Sequence, residues 1–302
     1  MAKLIQWFPG HMKKAMRDME EKRALCDGVI CVLDSRAPIA TYNPKLPEIF
    51  AGKPVLYVLN KSDLSDGKSE KFAAMIEAQG KPCVAISAVN GASRRVLEKR
   101  LQILTKEKRE RAESKGVTRH FRYTVVGIPN TGKSTVVNLL GGAKRAKTGD
   151  IAGVTRDVRW IKCADFDLLD TPGTMPPSCK TQYLARHLAY IGSLNDDILD
   201  IADVALELLK ELKANYPAAL QERYGIDCGG NNAETDKTAD EEERTREAVE
   251  MLETACRRRG FILRGGEFDY ERGARAVIDD FRKGRLGKIC LENPSDFADV
   301  KF

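Results

Sequence analysis

The chain has 302 residues, of which 42% are hydrophobic and 31% are charged, and its formal net charge is +6. This length allows about two domains, and the composition excludes an intrinsically disordered chain. No apolar run approaches the roughly 20 residues that cross a bilayer, and the N-terminus lacks the apolar core of a signal peptide. We therefore expect a cytoplasmic protein that contacts no membrane.

Basic residues are concentrated in two segments. Residues 94–122 contain eleven Lys or Arg against four Asp or Glu, and residues 257–288 contain ten against five. Between them, residues 234–253 contain nine acidic side chains against three basic ones. A single charged run is typical of a solvated helix face, but two basic segments on either side of an acidic one favour a polyanionic partner.

The eight cysteines are scattered and form no CxxC or CxxxH pair. Most lie within apolar patterns, where a reduced cysteine behaves as a small hydrophobic residue. The sequence therefore predicts neither a zinc site nor disulfide bonds.

Short apolar runs that end in a polar or glycine turn predict strands buried on both faces. In chain order these runs are residues 28–34, 54–59, 82–87, 122–127 and 166–170. Helical segments between them imply right-handed crossovers, whereas residues 158–163 lie so close to the last run that the two should pair as an antiparallel hairpin. The fold class predicted for residues 1–175 is α/β, with a doubly wound and mostly parallel sheet.

The pattern becomes helical after residue 175. Three helices are predicted, over residues 197–215, 240–259 and 269–283. Pro217 should close the first helix, and Gly260 and Gly284 should stop the other two. Residues 228–238 are typical of a mobile loop. Residues 176–302 are thus predicted to form an all-α C-terminal domain.

The first nucleotide motif in the chain is NKSD, residues 60–63, which follows a predicted strand. A carboxylate can accept hydrogen bonds from N1–H and the exocyclic amine of guanine, which adenine cannot offer, so Asp63 is predicted to select GTP. Asn60 would tie this base loop to the phosphate-binding loop, and the Lys61 stem would stack on the base. Ser87 and Ala88 resemble the loop that supplies a backbone N–H to the guanine oxygen.

The second motif is GIPNTGKST, residues 127–135, which fits GxxxxGK[ST] and lies between an apolar strand and a helix. Its glycines let backbone N–H groups surround phosphate oxygens. Lys133 is predicted to reach the β and γ phosphates, and Ser134 to offer its hydroxyl to Mg²⁺. The predicted phosphate-binding residues are Thr131, Gly132, Lys133, Ser134 and Thr135.

The third motif is DTPG, residues 170–173, at the end of the strand FDLLD. Asp170 is predicted to hold Mg²⁺ through water, and the Gly173 N–H to meet the γ-phosphate. Asp, Pro and Gly also make ordinary turns. The position of DTPG directly after an apolar strand favours the functional interpretation.

The order of the motifs is a circular permutation of the usual order in GTPases. A ligand of an open α/β sheet lies beyond the carboxyl ends of the strands, whatever order the chain visits them in. Together with QWFPGHMKKA, LDSRAP and GVTRD, this order resembles the circularly permuted GTPases of the YlqF, or ribosome biogenesis GTPase A, family. The stretches NYPAALQERYG and FRKGRLGKICLE also resemble it, so the likeness covers nearly the whole chain.

The residues for hydrolysis depart from the common arrangement. Ras-like proteins have a water-orienting Gln after the DxxG glycine, but here Thr174 follows it and is too short for that role. The family usually has an aliphatic residue there, so Thr174 also departs from the family. The resemblance implies that His11 orients the water, which gives His11, Lys133 and Gly173 as the catalytic set. The alternative for His11 is a histidine that caps a helix or contacts a partner.

Two cation sites follow from the resemblance. Asn130 resembles the asparagine with which several GTPases hold K⁺ near the phosphates, the alternative being a solvent-facing loop residue. Thr155, in GVTRD, is the best candidate for a second hydroxyl on Mg²⁺, with Thr148 as a competitor. The predicted metal ligands are Ser134, Thr155 and Asp170, and the predicted cofactors are GTP, Mg²⁺ and K⁺.

The resemblance implies a GTPase that binds a late precursor of the large ribosomal subunit. It would contact ribosomal RNA through its basic segments and C-terminal domain, hydrolyse GTP when the particle is correctly built, and leave. We expect a monomer with no DNA or membrane partner. The alternative is a GTP-dependent switch protein with a non-ribosomal partner. A third interpretation, a nucleotide-dependent partner in RNA modification, lacks a second catalytic cluster in the sequence.

Overall fold

The computed structural model describes residues 10–142, 159–176, 179, 181–228 and 240–302. Within these ranges no helix is long and apolar enough to cross a membrane. All eight cysteines are free thiols.

The strands of the described residues form one sheet in the order β3-β2-β1-β4-β6-β5. Their bounds are β1 Gly28–Asp34, β2 Val55–Asn60, β3 Cys83–Ala85, β4 Phe121–Val126, β5 Arg159–Lys162 and β6 Phe166–Asp170. β5 and β6 pair antiparallel, and every other neighbouring pair is parallel. The predicted α/β class and the terminal hairpin are confirmed.

Helices cover the sheet and form the C-terminal region. Around the sheet lie α1 Gly10–Lys22, α2 Lys45–Ile49, α3 Lys68–Ala78, α4 Ser93–Leu104, α5 Lys106–Glu113 and α6 Lys133–Gly141. The C-terminal region contains α7 Gln182–Tyr190, α8 Ile201–Asn215, α9 Pro217–Tyr224, α10 Glu241–Arg259 and α11 Tyr270–Arg282.

Alternate side chains of β1, β2, β3 and β4 enter two separate hydrophobic clusters, because successive residues point to opposite sheet faces. On one face, Ile30 and Val32 of β1 pack with α4 and α6. On the other, Cys31 and Leu33 pack with α3 and with the helices of the C-terminal region, as far as Phe302. The C-terminal region therefore packs directly on the sheet, and the boundary placed after residue 175 stays a prediction.

The C-terminal helices differ in part from the predicted ones. The helix predicted from residue 197 begins at Ile201, because the Asp200 carboxylate accepts hydrogen bonds from the N–H groups of Ala202 and Asp203. Pro217 does more than close that helix, since it is the first residue of α9. Helices α7 and α9 were not predicted. Residues 229–238 of the predicted loop lie outside the described residues.

The two other predicted helices begin and end as their capping residues indicate. Asp240 caps α10 through the Glu243 N–H at 2.7 Å, and Gly260 follows the helix with a φ of 68°. Asp269 caps α11 through the Arg272 N–H at 3.0 Å. Gly284, shortly after α11, also has a φ of 68°, a conformation that favours glycine.

Candidate functional site: a nucleotide site at the strand ends

Loops with all three nucleotide motifs meet at one edge of the sheet. β1, β2, β3, β4 and β6 are parallel, so their carboxyl ends share this edge. The base loop follows β2, Ser87 and Ala88 follow β3, the P-loop joins β4 to α6, and DTPG follows β6. The arrangement places base-binding and phosphate-binding loops side by side, as in other open α/β sheets.

The P-loop backbone requires glycine at two positions. Gly127 has a φ of 149°, and a Cβ there would collide with the Val32 carbonyl oxygen. Gly132 has a φ of 88°, and a Cβ there would collide with Nδ2 of Asn60. Asn130 also has a positive φ, 61°. These conformations bring the loop within hydrogen-bonding distance of the base loop.

Lys133 begins α6 and is only 6% exposed. Its Nζ donates to the Ile128 carbonyl at 2.8 Å, so the ammonium lies under the P-loop. Burial lowers the pKa of Lys133 to about 8, although the neighbouring Asp170 opposes that shift. The free protein therefore holds a cation whose charge an anionic ligand would stabilise.

Asp170 ends β6 with its carboxylate fully buried. Neither carboxylate oxygen has a hydrogen-bond partner among the described residues. Burial raises the pKa of Asp170, and Lys133 opposes that shift. A buried carboxylate with two unpaired oxygens fits a divalent cation, and Mg²⁺ usually takes one or two carboxylates plus phosphate oxygens. Ser134, in the first turn of α6, would add a hydroxyl.

Nucleotide binding should be accompanied by partial proton uptake at pH 8. Phosphate oxygens favour the charged form of Lys133 and so raise its pKa above the value of about 8 in the free protein. We expect an uptake of about half a proton at pH 8 that shrinks towards pH 7, where Lys133 is already charged. Calorimetric titration with GDP in two buffers of different ionisation enthalpy measures this uptake. It should vanish in Lys133→Arg, because arginine stays charged at both pH values. An unchanged uptake in that variant would exclude Lys133 as its source.

Asn60 connects three loops of the site. Its Nδ2 donates to the Thr131 carbonyl at 2.9 Å, and its Oδ1 accepts from the Ala88 N–H at 3.0 Å. The structure thus has the tie between base loop and P-loop that the sequence suggested. In the predicted guanine loop of Ser87 and Ala88, the Ala88 N–H is engaged here by Asn60. Asp63 is exposed, in a 3₁₀ turn formed by Ser62–Leu64.

Lys61 adopts a left-handed backbone conformation, with a φ of 63°. Its Nζ donates to the Asn130 carbonyl at 2.6 Å and forms an ion pair with Asp34 at 2.8 Å. Both contacts hold the ammonium against the P-loop. Sequence reasoning missed Asp34, although LDSRAP, which contains it, was part of the family resemblance.

DTPG packs against the P-loop through Gly173. A Cβ on Gly173 would lie 2.7 Å from the Pro129 nitrogen, so only glycine allows this approach. The next residue, Thr174, is fully buried and donates its N–H to the Gly127 carbonyl at 3.3 Å. Its own carbonyl accepts from Asn43 at 3.0 Å. Thr174 is therefore enclosed beside the P-loop.

The P-loop also contacts the turn after α7. The Asn130 side-chain amide donates to the Gly192 carbonyl, and the Ser193 hydroxyl donates to the Pro129 carbonyl at 2.7 Å. Asn130 is therefore not a solvent-facing loop residue in this structure. Its nitrogen is engaged by the C-terminal region, and its predicted role at a K⁺ ion stays a prediction.

Two predicted site residues remain without a structural account. The backbone of His11 lies near the start of α1, but its side chain is not described. Thr155 and its competitor Thr148 lie outside the described residues. Among the residues that are described, no group of His, Cys, Asp or Glu could by itself hold a metal ion.

Comparison with known proteins identifies the family. A family model described as a 50S ribosome-binding GTPase matches residues 122–224. Ribosome biogenesis GTPase A of Bacillus cereus is 37% identical over 299 residues, which cover 98% of this chain and 96% of that protein. The chain belongs to the ribosome biogenesis GTPase A family. The Thermotoga maritima member is 28% identical over 302 residues, covering 98% and 97% of the two chains.

Solved structures of the family share the fold. The GNP-bound YlqF from T. maritima matches with a TM-score of 0.63 at 25% identity, covering 93% of this chain and 98% of that one. A GDP-bound structure of TM YlqF matches with a TM-score of 0.62, covering 93% and 100%. The resemblance of the permuted motifs to the YlqF family is confirmed.

Membership of the ribosome biogenesis GTPase A family makes this protein a GTP hydrolase that acts in ribosome biogenesis. GTP is its substrate, and Mg²⁺ is the typical metal of such a site. The roles of the individual residues at the strand ends remain predictions, supported by the contacts described above.

Proposed function

We propose that this GTPase binds a late precursor of the large ribosomal subunit and couples GTP hydrolysis to maturation of that particle and to its own release. The observation that carries the proposal is the full-length likeness to proteins named ribosome biogenesis GTPase A. The match of residues 122–224 to a 50S ribosome-binding GTPase model supports the large subunit as partner.

At the nucleotide site, the base and the phosphates have separate binding loops. Asp63 accepts the two guanine donors, and Asn60 with Lys61 holds the base loop against the P-loop. Residues 131–135 surround the phosphates, with Lys133 at the β and γ groups. Asp170, Ser134 and Thr155 would hold Mg²⁺, which neutralises charge that develops on the phosphates. Gly173 directs its N–H to the γ-phosphate.

The group that orients the attacking water lies outside the buried loops at the strand ends. Thr174 is enclosed, and its hydroxyl has no partner among the described residues, so it does not take the place of a water-orienting glutamine. His11 is the candidate for that role, and a K⁺ ion near Asn130 would add positive charge at the phosphates. Intrinsic turnover is therefore slow and rises when the partner positions His11.

Exposed basic side chains support an RNA partner. In the first basic segment, residues 94–122, α4 and α5 expose Arg95, Lys99, Lys106 and Arg111. In the C-terminal region, the end of α10, the turn after it and the start of α11 expose Arg257, Arg258, Arg259, Arg264, Arg272 and Arg275. Contacts of such side chains with phosphates give binding that weakens steeply with salt.

Purified large ribosomal subunits should stimulate GTP hydrolysis in potassium buffer. The stimulation should disappear in His11→Ala while GTP binding is retained, because only the orientation of water is lost. The protein should also co-sediment with large subunits in the presence of a non-hydrolysable GTP analogue. Small subunits serve as the control. Bound GTP with no stimulation by large subunits would mean that the partner is wrong, and unchanged stimulation in His11→Ala would remove His11 from the mechanism.

A further inference from the structure

A buried arginine outside the nucleotide motifs links the base loop to the C-terminal region. Arg36 follows β1 and is only 2% exposed. Its Nε and Nη2 donate to the two carboxylate oxygens of Asp34 at 2.9 and 2.8 Å. This fork fixes the carboxylate in position and orientation, which a single hydrogen bond would not do.

The same carboxylate holds Lys61 of the base loop. Oδ2 of Asp34 accepts from Arg36 and forms the 2.8 Å ion pair with Lys61. Burial would raise the pKa of Asp34, but Arg36 and Lys61 outweigh burial and hold that pKa well below its usual range. Asp34 therefore carries a permanent negative charge between two cations.

The remaining Arg36 nitrogen reaches the end of α11. Nη1 donates to the Arg282 carbonyl at 3.1 Å and to the Phe281 carbonyl at 3.5 Å. These carbonyls belong to the last turn of α11 and carry the negative end of its dipole, and the Phe281 carbonyl also accepts from the Gly284 N–H just beyond the helix. Arg36 also packs against the Phe281 ring, at 5.3 Å from its centroid.

Backbone contacts reinforce this connection. The Leu291 N–H donates to the Arg36 carbonyl at 2.8 Å, and the Ile289 N–H donates to the carbonyl of Leu64, directly after the base loop, at 2.9 Å. The strap formed by residues 286–292, which follows α11, thus runs along both the base loop and the turn that contains Arg36.

We propose that Arg36 is a positioning residue for the guanine nucleotide. It holds Asp34 so that the Lys61 ammonium stays at the Asn130 carbonyl, and it thereby makes nucleotide affinity depend on the docking of α11. The proposal rests on the base-loop role proposed above for Lys61 and Asp63. A preorganised Lys61 loses less conformational freedom on binding. Coupling of two sites is reciprocal, so bound nucleotide must also stabilise the docking of α11.

The test compares Arg36→Lys with Arg223→Lys. Lysine keeps the charge at residue 36 but loses the fork on Asp34. We expect the Kd for fluorescent GDP, measured well below the unfolding temperature, to rise about tenfold, a factor equal to ~1.4 kcal/mol. Arg223 makes a similar fork on Asp280 of α11, at 2.8 and 3.1 Å, without touching the base loop. Arg223→Lys should therefore lower thermal stability but leave the Kd unchanged.

Hydrogen exchange supplies a readout that a purely structural role would not change. In the wild-type protein, GDP should slow exchange of the strap amides of Ile289 and Leu291, and in Arg36→Lys this protection by nucleotide should be lost. Absence of this protection in the wild-type protein would count against the proposal even if the variant does not fold. Absence of protection, an unchanged Kd in Arg36→Lys, or equal increases in Kd in both variants would each overturn the proposal.

A third variant separates this inference from the proposed site. Asp63→Ala should lose the preference for GDP over ADP. If it keeps that preference, the assignment of the base loop is wrong. If it loses the preference while Arg36→Lys binds GDP like the wild-type protein, only the role of Arg36 is wrong.

Discussion

Replacement of Lys133 by methionine is expected to lower the GTP hydrolysis rate by about 10²- to 10³-fold, the usual cost of one preorganised donor. The ammonium lies under the P-loop, where charge on the β and γ phosphates grows during phosphoryl transfer. Methionine has a similar length but offers neither charge nor donor. Single-turnover hydrolysis with saturating GTP measures the effect on chemistry, separately from weaker binding.

The same variant should be at least as stable as the wild-type protein when nucleotide is absent. Burial lowers the pKa of Lys133 to about 8, which means that the desolvated ammonium destabilises the folded protein when no nucleotide is bound. Loss of the hydrogen bond to the Ile128 carbonyl costs about 1 kcal/mol, less than the ~3 kcal/mol that the pKa shift represents. A thermal midpoint well below that of the wild-type protein would contradict this account of the site.

Lys108 provides the matched control. Its Nζ also donates to a backbone carbonyl, that of Asp27, at 2.7 Å. Asp27 directly precedes β1 and so lies at the amino ends of the parallel strands, away from the nucleotide site. Lys108→Met should leave the rate of GTP hydrolysis unchanged. If both variants lost activity alike, the effect of Lys133 would not be specific to the phosphate site.

The sheet was predictable because its strands are continuous apolar runs separated by turn residues. β1 and β6 have the predicted bounds, 28–34 and 166–170. Strands buried on both faces need such runs, so the signal is strong and local. The permuted order of the motifs also followed from the sequence, because each motif lies directly after a strand.

Helices α7 and α9 were missed for two different physical reasons. Helix α7 has only nine residues, and its buried face contains the polar His187 beside the small residues Ala185 and Ala189, so it offers few large apolar side chains from which a helix could be recognised. α9 begins with Pro217, which sequence reasoning treated as a stop. Proline interrupts a helix interior but suits the first turn, where its missing N–H has no partner to lose.

The contacts that organise the site were not predictable from local patterns. Asn130 meets Gly192, and Asn60 meets Thr131, across 62 and 71 residues of chain. Arg36 meets Arg282 across 246 residues. Short motifs indicate which residues bind a ligand, but their supporting partners depend on how distant elements pack. LDSRAP illustrates this limit, since its sequence gave no hint that Asp34 pairs with Lys61.

In this permuted fold, the C-terminal region contacts the nucleotide-binding loops at several places. The segment after DTPG leads into it directly, while Gly192 and Ser193 touch the P-loop and residues 286–292 touch the base loop. We therefore expect exchange of GTP for GDP to act on contacts at three loops rather than on one linker. A switch of this kind needs contacts that differ between the two states, and we expect that difference at these loops.

A buried histidine joins the same region to the turn after β1. His187 of α7 is fully buried, and its two ring nitrogens lie 3.0 Å from carboxylate oxygens of Glu292 and Glu211. Glu292 in turn accepts the N–H groups of Ile39 and Ala40. Two carboxylate acceptors require both nitrogens to be donors, which only the imidazolium form provides.

His187→Ala is expected to lower the free energy of unfolding by about 3–5 kcal/mol near neutral pH, the cost of breaking a buried charge cluster by removing one partner. Burial opposes the charge, but the hydrogen bonds that His187 donates to Glu211 and Glu292 outweigh it and raise the pKa of His187 to about 9. Protonated His187 therefore stabilises the fold fully at pH values below the histidine pKa of about 6.5 in the unfolded state. This contribution disappears as the pH rises towards 9. The difference in unfolding free energy between wild type and variant, from urea titrations, should therefore shrink between pH 6.5 and 9. His120→Ala removes an exposed histidine paired with Asp167 and should change stability by less than about 0.5 kcal/mol. A difference for His187→Ala that stays constant over this pH range would mean that His187 is neutral in the fold.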